Sequence, residues 1–159
     1  MQEILEILEK DARLSPQQIA TMLNVPEEEV RQTIERLERE RIILKYKTII
    51  HWEKTEKENV SALIEVKVSP QRDVGFDAVA ERIYRFTEAR SVYLVSGTYD
   101  LSVQVVGRSM QDVARFVTEK LSPLEGVQGT VTHFLLKRYK EDGDILGEEE
   151  EIQRLPVSP

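Results

Sequence analysis

Residues 90–106 read RSVYLVSGTYDLSVQVV, two β-rich runs on either side of Gly97-Thr98-Tyr99-Asp100. Arg90–Ser96 and Leu101–Val106 are rich in Val, Leu and Tyr, which suit a pleated, half-buried surface. A short link opening on glycine, which supplies positive φ, and closing on aspartate, which caps the bend, joins such runs as a hairpin. The pattern on each side completes a unit around it. Upstream, Phe76, Val79, Ala80, Ile83 and Phe86 recur at helical spacing behind Gly75, and residues 61–68 (SALIEVKV) alternate as a half-buried strand that Ser69-Pro70 ends. Downstream, Val113, Phe116, Val117 and Leu121 mark one face of a helix over Met110–Leu121, and Ser122-Pro123 breaks it. A long strand over Val127–Tyr139 follows, with Val127, Val131, Phe134 and Leu136 among its apolar residues.

The order β-α-β-β-α-β predicts a four-stranded antiparallel sheet with two helices on one face, the ferredoxin-like arrangement. The other face of so small a sheet is open. Apolar residues there call for a covering surface, so a homodimer is expected.

The N-terminal third reads differently. Ile4, Leu5, Ile7 and Leu8 give a short amphipathic helix over residues 2–11. Ser15, Pro16 and Gln18 form a helix-start signal: a capping serine, a proline at the first helical position and a glutamine at the third. That helix runs from Pro16 to Leu23 and buries Ile19, Ala20 and Leu23, with Asn24 suited to a left-handed stop. Val25-Pro26 opens a third helix with Glu27, Glu28 and Glu29 in its first turn, where acids complement the helix dipole, and Val30, Ile34 and Leu37 as its buried stripe. Two helices joined by a tight turn behind a packing helix predict a helix-turn-helix, although any three-helix bundle fits the pattern. Residues 42–50 (IILKYKTII) read as a strand or short hairpin that would serve as a wing or a linker. The expected organisation is a helix-turn-helix unit over 1–50, a polar hinge over 51–59, the sheet module over 60–140 and an acidic, mobile tail over 141–159.

Composition bounds the function. The 159 residues are 40% hydrophobic and 32% charged, enough for a core, and carry no cysteine for a disulfide, thiolate site or thiol nucleophile. No membrane span and no leader peptide are legible, so a cytoplasmic protein is expected. The net charge of −7 argues against nucleic acid only superficially. Residues 141–159 hold seven acids and one base, which accounts for −6 of it and leaves −1 for residues 1–140. His51 and His133 lack neighbours for a metal site or a catalytic cluster, and no P-loop, dinucleotide fingerprint or G-x-S-x-G is present, so neither cofactor nor catalysis is expected.

On the third helix, Arg31, Gln32, Glu35, Arg36 and Arg39 lie opposite the apolar stripe. One reading sets Arg31, Gln32, Glu27 and Glu28 against base edges and Arg36 and Arg39 against phosphates, with Lys45 and Lys47 as further backbone contacts. The plainer reading is a solvated face held by pairs such as Glu27–Arg31 and Glu35–Arg39. Lys45 and Lys47 would then be charged residues on a strand edge that resist aggregation.

Four segments in order resemble the Lrp/AsnC family of bacterial and archaeal regulators: SPQQIATMLNV, ERLERERII, VYLVSGTYDLSVQV and VQGTVTHFLL. The resemblance covers residues 1 to 140 and implies sequence-specific binding of double-stranded DNA by dimers or rings of dimers. It also implies an amino-acid effector near the hairpin turn, with Ser96, Gly97, Thr98, Tyr99, Asp100, Thr130 and Thr132 as the candidate contacts. The chain departs from the family in carrying Arg41 where a glycine is common and Thr33 where an arginine is common. Its third helix also begins more acidic than recognition helices usually do, so an effector-binding or assembly protein with weakened DNA affinity is the alternative. A branch similar to the family decarboxylates a haem-like tetrapyrrole through histidine- and arginine-rich stretches, but SVYLVSGTYD holds no histidine.

Overall fold

The computed structural model describes residues 1–57, 59–69 and 75–147. The chain divides into two units, Met1–Ile49 and the remainder from Ile50.

In the first unit, α1 (Gln2–Lys10), α2 (Pro16–Leu23) and α3 (Glu27–Arg39) follow one another with short turns. Ser15 caps α2 reciprocally: its Oγ accepts from Gln18 N–H at 3.2 Å, while its own N–H donates to Gln18 Oε1 at 2.8 Å. Asn24 ends α2 in the left-handed conformation (φ 53°, ψ 48°). Ile4, Leu8, Ile19, Ala20 and Val30 form the core, with Ile34 and Ile43 packed against it. Beyond α3 the chain turns at Arg41, whose φ of 58° lies in the region that favours glycine.

Residues 42–50, expected as a strand or short hairpin, form neither. Leu44, at 74% exposure, and Tyr46 project into solvent. A β-rich composition does not make a strand without a neighbour to accept its hydrogen bonds.

The second unit begins with a 3₁₀ turn at Trp52–Lys54, followed by β1 (Val60–Val68), α4 (Phe76–Tyr84), β2 (Ala89–Leu94) and β3 (Leu101–Gly107). It continues with α5 (Met110–Phe116), a π turn (Val117–Leu121), β4 (Val127–Phe134) and a hairpin of β5 (Lys140–Glu141) and β6 (Asp144–Ile145). The antiparallel sheet has the order β2-β3-β1-β4, the ferredoxin-like topology expected from the pattern.

Alternation sorts the strands onto two faces. Ala62, Ile64, Val66 and Val68 of β1 and Leu101, Val103 and Val105 of β3 pack with Val79 and Ile83 of α4 and with Val113 and Phe116 of α5. Phe86 meets Phe116 edge to face at 5.6 Å. The opposite face carries Leu63, Glu65, Tyr93, Gln104, Val106 and Val131, and among the described residues α4 and α5 pack on the other side.

Two stretches differ from their sequence reading. The last strand ends at Phe134 rather than continuing to Tyr139. Residues 141–145, placed in the mobile tail, form the β5–β6 hairpin together with Lys140, and Leu146 is buried behind it. Its turn, Asp142-Gly143, has φ of 45° and 94°, as a tight hairpin demands. The remainder of the tail expected to be mobile, residues 148–159, lies outside the described residues.

Candidate functional site

The exposed side of α3 carries every sequence-nominated residue of that helix. Val30 and Leu37 point into the core, which turns Glu27, Glu28, Arg31, Gln32, Glu35, Arg36 and Arg39 outward. At its N-terminal end the polar groups are already organised. The Arg31 guanidinium bonds Glu27 at 2.6 Å and Glu28 at 3.2 Å, and Gln32 Nε2 donates to the other Glu28 oxygen at 2.9 Å. The hydrogen bond to Glu27 and the charge of Glu28 push the Arg31 pKa above its ordinary value. These four residues form one preset surface with donors and acceptors in fixed relation, the property base-edge recognition requires.

Among the described residues, Arg36 reaches only Met1 Sδ, at 3.7 Å, and Glu35 and Arg39 do not pair within 4.0 Å. Their charges remain available to an external partner. Lys45 and Lys47 flank Tyr46, which the sequence reading passed over. Tyr46 Oη donates to Glu38 Oε1 at 2.8 Å and ties the extended segment to α3. Partial desolvation, with help from Glu38, pushes its phenol up to about 12.

In the second unit the turn at 96–100 stands at one end of the sheet, beside the end of β1 and the start of β4. Ser96, Gly97 and Thr98 are exposed, and Tyr99 is half-buried. Asp100 does not cap its own bend. Its Oδ2 accepts from Val68 N–H at 2.8 Å and faces Lys67 Nζ at 3.4 Å, while its backbone N–H donates to Val66 O at 3.0 Å. Lys67 Nζ also donates to the Thr98 carbonyl at 3.0 Å. Asp100, nominated as an effector contact, is therefore engaged by β1, and Lys67, which no sequence signal singled out, brings a cation to the turn. Thr130 and Thr132 lie opposite Val66 and Ile64. Thr130 is thus one strand removed from the turn, and Thr132 is two residues farther along.

A hollow of about 430 Å³ opens elsewhere, between the end of β3 and α5, lined by Glu88, Arg108, Asp112, Arg115, Phe116 and Lys120 among others. Glu88 and Lys120 pair across it, which lowers the Glu88 pKa. None of the nominated effector residues lines it.

The comparisons divide the chain as the geometry does. Residues 2–38 match the AsnC-type helix-turn-helix domain, and residues 61–145 match the Lrp/AsnC ligand binding domain. The chain belongs to the Lrp/AsnC family. Members are transcriptional regulators rather than enzymes, so this chain is a DNA-binding regulator whose helix-turn-helix includes α3. The uncharacterized HTH-type transcriptional regulator YugG of Bacillus subtilis is 52% identical, over 99% of this chain and 95% of its own. Among solved structures, PH0061 superposes with a TM-score of 0.75 at 20% identity, covering 88% of this chain and 93% of that one. The transcriptional regulator NMB0573 of Neisseria meningitidis, solved as its L-Met complex, gives 0.71 at 22% identity, with coverage of 87% and 89%.

Within this Lrp/AsnC chain, the described residues hold no group of three or more His, Cys, Asp or Glu placed to bind a metal ion. No helix among them is long and apolar enough to cross a membrane.

Proposed function

We propose that this regulator works in the cytoplasm as a homodimer that carries two recognition helices, and that an amino-acid effector at the 96–100 end of the sheet adjusts how the two helices meet DNA. The observation that carries the paired reading is the uncovered sheet face. Tyr93 is 58% exposed there and Val131 37%, beside Leu63 and Val106 on neighbouring strands. A second copy of the same face buries these residues with two-fold symmetry. Glu27, Glu28, Arg31 and Gln32 then read base edges, Arg36 and Arg39 with Lys45 and Lys47 grip phosphates, and the two half-sites lie a whole number of helical turns apart.

The L-Met complex of NMB0573 supports a small amino acid as the effector class. At the turn, Lys67 and the exposed Ser96 and Thr98 supply groups for a carboxylate, and Thr130 and Thr132 stand on β4 opposite Val66 and Ile64. The effector acts by differential affinity for the dimer geometries that do and do not fit DNA.

Selection of bound sites from random duplexes, with and without a panel of amino acids, tests the whole reading. Paired half-sites whose enrichment shifts with one amino acid support it. Unpaired sites indifferent to every amino acid overturn it. Repeating the binding against salt checks the phosphate contacts, because affinity must fall steeply as salt rises.

A further inference from the structure

The chain enters the second unit through residues 50–54, and a nine-residue return of the C-terminal segment holds that entry. Arg138, only 20% exposed at its side chain, forks onto Glu53: Nε bonds Oε1 at 3.0 Å and Nη2 bonds Oε2 at 2.8 Å. The same Nη2 reaches the Ile50 carbonyl at 3.3 Å. From the far side of the β5–β6 hairpin, the Leu146 carbonyl accepts a 2.7 Å hydrogen bond from His51 Nε2, which fixes the proton on that nitrogen. His51 Nδ1 faces Glu53 Oε2 at 3.2 Å. Leu146 is itself buried, and its N–H closes the hairpin on the Tyr139 carbonyl at 2.9 Å. Three successive features of the entry segment, Ile50 O, His51 and Glu53, are thus each gripped by residues 138–146.

We propose that Arg138 and the hairpin behind it form a clasp on the interdomain linker, and that Arg138 is a positioning residue for two-headed DNA binding. A bidentate guanidinium–carboxylate pair has a defined geometry, unlike a single surface ion pair, and the linker has no sheet to hold it. With 50–54 clasped, the freedom between the units is confined to the extended residues before Ile50. Two heads on shorter tethers present a higher effective concentration to the second half-site than heads on tethers lengthened by five residues. This rests on the paired reading above.

Amide hydrogen exchange and DNA binding on the full chain test it together. In wild type the amides of Trp52, Lys54 and Thr55 donate to Ile50, His51 and Trp52 carbonyls within the clasped turn. In Arg138→Ala they should exchange about tenfold faster or more, while the amides of β1 and β3 keep their protection and report an intact fold. The same variant should bind a duplex with two half-sites about three- to tenfold more weakly and a single half-site unchanged. The exchanged pair Arg138→Glu with Glu53→Arg should recover both properties at least in part. Unchanged exchange at 52–55, or equal weakening on one and two half-sites, overturns the clasp. A wild-type chain that sediments as a monomer and gains nothing from a second half-site overturns the paired reading and the two-headed part of this proposal. The exchange result then decides the clasp by itself.

Discussion

Arg41 adopts φ 58° just after α3. A left-handed residue with a Cβ is strained by roughly 1–2 kcal/mol, part of which glycine returns through its freedom in the unfolded chain. Arg41→Gly should raise stability by about 0.5–1 kcal/mol, read as an upward shift of the thermal midpoint. Asp100 makes the opposite point about reading function from a motif. A G-T-Y-D turn looks like a ligand cradle, yet the carboxylate is spent on Val68 N–H and Lys67. Asp100→Ala should therefore cost about 1–3 kcal/mol in a denaturant titration, whether or not an effector is present. Glu53 carries the clearest titration. The Arg138 hydrogen bond holds its carboxyl near 2 against an ordinary 4.5. Its pairing contribution is complete above about pH 4.5 and is lost as pH falls towards 2. A carboxyl NMR titration should place the midpoint near 2 in wild type and return it towards 4.5 in Arg138→Ala.

At the scale of elements, the clearest sequence signals were local hydrogen-bond devices. Ser15, Pro16 and Gln18 announced the start of α2, and the reciprocal cap is present. Ser15→Ala should lower stability by about 1 kcal/mol in a urea titration, with the loss confined to the N-terminal unit. Hydrophobic period found α3 and the β2–β3 hairpin for the same reason, since one buried stripe or one buried face dictates register. It failed where neighbours decide. Residues 44–50 have strand composition and no strand beside them, whereas 140–145 have weak composition and form a hairpin because Asp142-Gly143 turns the chain and Leu146 finds a buried seat. Period located the helix at 110–121 but not its change of pitch, from α to π after Phe116.

For the whole molecule, the open sheet face carries the proposed pairing. Val131 stands opposite Glu65 on that face, away from the helices and the core. Val131→Asp should leave the fold intact, place a charge in the paired interface and shift the chain towards monomer in sedimentation. Affinity for two half-sites should fall with it, and single-half-site binding should persist. What the order of residues settled unaided is the division into a helix-turn-helix unit and a βαββαβ module, because capping and apolar period act within a few positions of one another. The exposure of Arg31, Gln32, Arg36 and Arg39 follows from the same periodicity. The Glu27–Arg31 pair was legible as a local spacing of four, but only the folded chain decided that Asp100 serves β1 and that Arg138 meets Glu53 across 85 positions. Side-chain pairs between distant segments depend on sheet register and chain return, and no local pattern records where a fold brings two charges together.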